Sequence, residues 1–255
     1  MGDLDAVASR RMIEHDLDIA TADGTMNTFV THPEEGGPHP VVFFYMDAPG
    51  KREELHDMAR RIASVGYFVV LPNLYYRRSR DYFLRERTDA GFAEMFTYMD
   101  ALDRRTVECD TAAMLAFVDG DANADASRIG AVGYCMSGPF VVWAAAAFPK
   151  RLQCIASIYG VRLVTDAADS PHRMLDRVRC EAYFACAETD KWAPRETVEQ
   201  LQSALAAAGT KHRLEWYPGA EHGFAFPLRA GIYHKPSAER HWTRLFGLFR
   251  RNLAN

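Results

Sequence analysis

Residues 128–148 read RIGAVGYCMSGPFVVWAAAAF. The first seven have the length and apolar content of a buried strand, and the last ten, opening on Pro139, read as a buried helix. Between them stands Gly133-Tyr134-Cys135-Met136-Ser137-Gly138. A chain that passes from strand to helix in so few residues turns too sharply for bulky neighbours, which accounts for Gly133 on one side and Ser137 and Gly138 on the other. A thiol at that corner has the setting of a nucleophile elbow, and the start of the helix favours its thiolate. Ser137 occupies the second glycine position of the G-x-C-x-G form. The alternative reading of Cys135 is a small buried hydrophobe.

Outward from the elbow the chain alternates. VVFFY (41–45) and YFVVLP (67–72) are continuous apolar runs of buried parallel strands, and LQCIASIYG (152–160), EAYFACAE (181–188) and HRLEWYPG (212–219) extend the series. Helical spacing of apolar residues appears at 52–65, closed by Gly66, at 196–209 and at 237–253; after a polar, arginine-rich stretch (73–90), a long helical pattern runs to Val118. HDLDIATADGTMNTFVTHP (15–33) reads as two strands around Ala22-Asp23-Gly24, an antiparallel edge, with a loop at 33–40. Strands alternating with helices predict an α/β fold: a mostly parallel sheet with helices on both faces and an antiparallel N-terminal hairpin. No repeat or linker divides the chain, so one domain over 1–255 is expected.

Open α/β sheets bind ligands at the carboxyl ends of their strands. The residues there are Met46-Asp47, Asn73-Leu74, Cys135, Tyr159-Gly160, Asp190 and His222. Chain order Cys135, Asp190, His222 is nucleophile, acid, base, the order of α/β-hydrolases. Glu188 competes with Asp190 as the acid. Asp190 also reads as a helix cap, and His222 as a surface loop residue. His212 opens its strand at the wrong end of the sheet, and His15, His32, His39 and His56 precede the elbow.

Composition narrows the function classes. Of 255 residues 48% are hydrophobic and 25% charged, with net charge -4, which is the balance of a soluble globular protein. The longest apolar run, Phe140 to Phe148, falls far short of the roughly 20 residues that cross a bilayer. The N-terminal MGDLDAVASRRMIEHD lacks a secretory h-region, and Ala6 breaks a myristoylation motif, so a cytoplasmic location is expected. Five cysteines without a C-x-x-C pair argue for reduced thiols and against a zinc site. No metal motif is present, and Gly130-Ala131-Val132-Gly133 is not a dinucleotide fingerprint, so neither a metal nor another cofactor is expected. Residues 75–85 (YYRRSRDYFLR) interleave bases with aromatics, but in an acidic chain they read as a rim or cap of the pocket, not a nucleic-acid site.

The chain resembles the dienelactone hydrolase family over nearly its whole length. The resemblance rests on the Asn73-Leu74-Tyr75 turn, the Gly-Tyr-Cys-Met elbow, Tyr159-Gly160-Val161, the Asp190 loop with Pro194, and Glu221-His222-Gly223-Phe224-Ala225. It implies an α/β-hydrolase fold and a Cys-Asp-His triad that opens cyclic esters, carried by Cys135, Asp190 and His222. His222 would take or share the thiol proton, Asp190 would orient the imidazole, and an acyl-thioester would form and be hydrolysed. Oxyanion donors are expected at the backbone of Met136 and at Met46 or Asp47. The family's thiol-activating acid maps to Asp47, which also reads as a turn residue.

Members that open dienelactones hold the substrate carboxylate with arginines, one of them four residues after the catalytic histidine. Here that position is Phe226. Either Arg77 and Arg78 clamp the carboxylate from the cap, or Met46, Met136, Tyr159, Phe224 and Phe226 form an apolar pocket that prefers neutral esters or lactones; the second is the expectation. The partner is then a small-molecule ester or lactone. An acyltransferase or thioesterase on the same elbow, and a non-catalytic thiol sensor, are the alternatives.

Overall fold

The computed structural model describes residues 11–254, so the reading of the N-terminus around Ala6 lies outside the described residues. Eight strands form one sheet: β1 (Met12–Thr21), β2 (Gly24–Pro33), β3 (His39–Tyr45), β4 (Phe68–Pro72), β5 (Ala124–Tyr134), β6 (Leu152–Ile158), β7 (Glu181–Thr189) and β8 (His212–Glu221). Their spatial order is β1-β2-β4-β3-β5-β6-β7-β8. The hairpin β1–β2 turns on Ala22-Asp23, with Thr21 opposite Gly24, and β2 runs antiparallel to β4. All remaining pairs are parallel. The expected architecture, an α/β sheet with an antiparallel edge, is the observed one.

Six α-helices accompany the sheet: α1 (Glu53–Ala63), α2 (Asp89–Met99), α3 (Arg104–Asp119), α4 (Gly138–Ala147), α5 (Arg195–Ala208) and α6 (Lys235–Leu253). Strand alternation assigns them to faces. In β3, the Tyr45 hydroxyl is 2.7 Å from Oγ1 of Thr111 on α3. The preceding ring, Phe44, packs on Tyr134, whose hydroxyl meets His241 of α6. Consecutive residues thus reach α3 and α6, which therefore cover opposite faces. Val41 to Tyr45 and Phe68 to Leu71 are fully buried, which is why those runs are unbroken in apolar character.

Two expectations change. The pattern read as one helix ending at Val118 is two, because Asp103 in extended backbone caps α3: its carboxylate accepts from Thr106 N at 2.8 Å while the Thr106 hydroxyl oxygen accepts from Asp103 N at 2.9 Å. Val65, the last apolar residue of the helical pattern read at 52–65, is 50% exposed because α1 ends at Ala63 and the turn carries Val65 outward.

Candidate active site

Cys135 adopts φ +54°, a left-handed conformation that costs a non-glycine residue of order 1–3 kcal/mol unless its surroundings impose it. Ser137 imposes it. Its fully buried Oγ accepts from Tyr134 N at 2.9 Å, and its own proton faces the carbonyls of Tyr45 at 2.9 Å and Tyr134 at 3.1 Å. The elbow is thereby tied to the end of β3. A Cβ on Gly133 would collide with the Ser137 carbonyl, so the glycine is required by close approach. Val161 N donates to the Cys135 carbonyl at 3.1 Å, fixing the corner to the loop after β6. Sequence reasoning gave Ser137 only a small size; the signal for its second role was a hydroxyl where the pattern has glycine.

His222 follows β8 and Asp190 follows β7, strands that pair in parallel, so both side chains emerge at the same end of the sheet as the elbow. His222 Nδ1 is 2.7 Å from Asp190 Oδ2, with the side chains 11% and 2% exposed. The other oxygen, Oδ1, accepts from Trp192 N at 2.9 Å and Ala193 N at 3.2 Å, so Asp190 both orients the imidazole and closes its loop. Glu188 is engaged elsewhere, accepting from Gly219 N at 2.7 Å. Nε2 of His222 is buried and faces Cys135 in a shared cavity. Burial alone would depress the His222 pKa, but the facing Cys135 charge and the bond to Asp190 outweigh it and raise the imidazole to about 9.

The loop after β3 carries Asp47. Its carbonyl accepts from Gly50 N at 3.0 Å, and its carboxylate, 1% exposed, is gripped by Arg52 at 2.5 and 3.2 Å. Arg52 also meets Glu54 Oε2 at 2.7 Å. Asp47 is thus a turn residue and an ion-paired acid together. Tyr75 bridges this loop to the elbow: its hydroxyl donates to Ala48 O at 2.8 Å and lies 3.2 Å from Met136 Sδ.

A cavity of about 150 Å³ opens over Cys135 and His222. Its walls are Phe92, Met95, Phe96 and Met99 of α2, Trp192 and Val161, with Arg162 and Arg229 as its cations. The expected lining residues sit elsewhere. Met46, Met136, Phe224 and Phe226 are 0–1% exposed and pack behind the site; Tyr159, also buried, sets its ring edge-on to His222 with centroids 5.1 Å apart. Arg77 and Arg78 do not reach the cavity. Arg77 is spent on Asp110, at 2.7 and 2.9 Å, and Arg78 donates to Thr97 O at 3.2 Å. Phe226 has guanidinium groups near its ring instead of being one, with Arg52 at 5.3 Å and Arg229 at 5.8 Å from its centroid. Among the described residues no cluster of His, Cys, Asp or Glu is arranged to hold a metal ion, and no helix is long and apolar enough to cross a membrane.

The model of the dienelactone hydrolase family matches residues 26–253. The chain belongs to that family. It is 28% identical over 249 residues to a "Putative carboxymethylenebutenolidase" of Methylorubrum extorquens, covering 96% of this chain and 83% of the relative. A protein of the same name from Synechocystis is 26% identical over 228 residues, covering 88% and 91%. The crystal structure of a "Putative Dienelactone Hydrolase" from Klebsiella pneumoniae superposes with a TM-score of 0.83 at 25% identity, covering 94% of this chain and 98% of that one. The fold is accordingly the α/β-hydrolase fold, and this member of the dienelactone hydrolase family is a hydrolase.

Proposed function

We propose that the protein hydrolyses a small lactone or carboxylic ester through Cys135, His222 and Asp190. The observation that carries the reading is the imidazole of His222: one nitrogen is held by Asp190 at 2.7 Å, and the other is buried and faces Cys135 in a shared cavity. With the proton on His222, the Cys135 thiolate attacks the acyl carbon and the carbonyl π pair moves to oxygen. Backbone N–H groups of Met136 and of Asp47 or Met46 would receive that oxyanion. The C–O bond then breaks, Nε2 gives its proton to the leaving alkoxide, and an acyl-thioester remains. Next His222 takes a proton from water, hydroxide displaces sulfur, and the acid leaves. Thiolate and imidazolium are restored.

Five free thiols, at Cys109, Cys135, Cys154, Cys180 and Cys186, support a reducing, cytoplasmic setting, and the single sheet supports one domain over 1–255. The test is incubation of the purified protein with a chromogenic ester, an acid quench and intact-mass measurement. The expected result is turnover with an acyl adduct on Cys135, absent in Cys135→Ala. Turnover of Cys135→Ala at the wild-type rate would overturn the assignment. An acyltransferase or thioesterase would show the same adduct but release it faster to an added thiol or alcohol than to water.

A further inference from the structure

The Asn73-Leu74-Tyr75 turn follows β4 and has no part in bond making, yet it carries Tyr75 up to the elbow. Asn73 sets the turn. Its side-chain oxygen accepts from Tyr75 N at 3.0 Å, and its Nδ2 donates to Asn27 Oδ1, Ser79 O and Arg80 O at 3.0, 2.9 and 3.1 Å. Tyr75 is thereby held inward, 2% exposed, and its ring meets Tyr82 edge-to-face with centroids 5.7 Å apart.

The hydroxyl has one proton and two neighbours. The Ala48 carbonyl, at 2.8 Å, is the stronger acceptor and takes the proton, while Met136 Sδ packs against the oxygen at 3.2 Å. Burial, reinforced by the nearby charges of Asp47 and Cys135, holds the phenol pKa well above its ordinary value, so the proton stays in place. Ala48, which lines the thiol cavity, and Met136 belong to the two segments whose backbones are assigned the oxyanion donors. An oxyanion between them needs both N–H groups within about 2.7–3.1 Å at once, so the spacing of the segments matters. Two pins fix it. Ser137 Oγ holds Tyr45 O at 2.9 Å, just before residues 46–47, and Tyr75 holds Ala48 O just after them. The next carbonyls of the turn are engaged away from the elbow: Asp47 O accepts from Gly50 N at 3.0 Å and Pro49 O from Leu84 N at 2.8 Å. The one oxygen of Tyr75 touches both the turn and Met136.

We propose that Tyr75 is a positioning residue: its hydroxyl sets the gap between the turn after β3 and Met136, and with it the fit of the oxyanion that forms when Cys135 adds to an acyl carbon. The inference rests on the ester-hydrolase reading of Cys135 and His222. Tyr75 itself neither gives nor takes a proton during the reaction. Its effect is confined to the state in which the acyl oxygen carries charge, because the neutral carbonyl of a bound ester asks far less of the two donors.

The test measures hydrolysis of 4-nitrophenyl hexanoate, and its inhibition by 1,1,1-trifluoroheptan-2-one, in wild type and Tyr75→Phe. The ketone carries the same acyl chain. Addition of the Cys135 thiolate to its carbonyl carbon moves the π pair to oxygen, which leaves an oxyanion where that of the ester would form. In Tyr75→Phe kcat should fall about 10- to 100-fold, the scale of a displaced donor, while KM changes by less than about twofold. Ki for the ketone should rise by the factor by which kcat/KM falls, whereas inhibition by hexanamide, which forms no adduct, should not change. Met136→Leu keeps both backbone donors and removes only the sulfur contact, so it should move kcat and the ketone Ki in the same direction by a smaller factor. It supplies the measurement if Tyr75→Phe does not fold. A lowered melting temperature with kcat and ketone affinity unchanged would make Tyr75 a structural residue only and overturn the proposal, as would a loss confined to KM. If wild type forms neither an acyl adduct with the ester nor a complex with the ketone, the hydrolase reading itself fails, and the role of Tyr75 falls with it.

Discussion

The hydroxyl of Tyr134, the residue immediately before Cys135, lies 2.9 Å from Nε2 of His241 on α6. Nδ1 of the same imidazole is 2.7 Å from the Ala238 carbonyl, so Nδ1 carries the proton and Nε2 accepts from the tyrosine. The ring is wholly buried, and burial pulls its pKa down to about 4.

A pH dependence of stability follows. His241 is neutral in the folded chain down to about pH 4, whereas in the unfolded chain it takes a proton below about 6.5. Stability is therefore intact above pH 6.5 and drains away between 6.5 and 4, by a total on the order of 3 kcal/mol. Urea unfolding of wild type and His241→Gln across this window should show a steeper loss for wild type. Parallel curves would mean that His241 does not carry the slope.

The imidazole of His222 runs the other way. Its folded pKa is raised to about 9, so its stabilising contribution is complete below about 6.5 and is lost as pH rises through 9. Catalysis that needs imidazolium to protonate the leaving group should hold through neutral pH and fall above about 9. Asp190→Asn should shift the alkaline limb of kcat/KM towards neutrality, and an unmoved limb would assign that limb to another group.

Under the proposed mechanism, removing Cys135, His222 or Asp190 should be drastic and non-additive. Cys135→Ala and His222→Ala should each lower kcat by about 10⁴-fold or more, and the double variant should be little worse than either. Asp190→Asn keeps an oxygen for Trp192 N and Ala193 N, so thermal unfolding should change little while kcat drops by up to roughly 10⁴-fold. Full activity in Asp190→Asn with a dead Glu188→Gln would transfer the acid role.

Ser137→Ala leaves the Tyr134 N–H without its buried acceptor, at a cost of about 1–3 kcal/mol. Because the same hydroxyl secures the elbow against β3, kcat should fall further than KM rises. A variant with lowered melting temperature but wild-type kcat would restrict Ser137 to stability.

Phe96→Ala enlarges the cavity on the α2 side, where Phe96 also leans on Trp192 with centroids 5.8 Å apart. The ratio of kcat/KM for hexanoate over acetate esters of 4-nitrophenol should change severalfold, since hexanoate carries four more methylenes and even one in an apolar pocket is worth about 1–3 kcal/mol. An unchanged ratio would place the acyl chain elsewhere.

The sheet and the placement of Cys135, Asp190 and His222 at one end of it were legible because strand and helix periodicities differ, and because open α/β sheets bind ligands where strands end. The walls of the cavity were not. Phe92, Met95, Phe96 and Met99 repeat at helical spacing like any core stripe, and only a short turn from the C-cap Asp100 to the cap at Asp103 separates α2 from α3. Apolar side chains facing a void look the same in sequence as those facing a core. Arg229 was missed for a different reason: seven residues beyond His222, it returns to the site because the chain folds back over Gly223. Phe224 and Phe226 misled because apolar residues beside a histidine at a strand end fit a pocket wall or a supporting layer equally well, and here they pack behind His222.

Helix α2 is bounded at both ends, by Thr88 accepting from Gly91 N before it and by its C-cap Asp100 and the Asp103 cap of α3 after it, and it contributes none of the three residues proposed to carry the reaction. Segments delimited in this way can be exchanged as cassettes. A library that rewrites 89–99 alone, between fixed Thr88 and Asp103, would vary what the enzyme accepts while leaving the reacting groups under one unaltered frame.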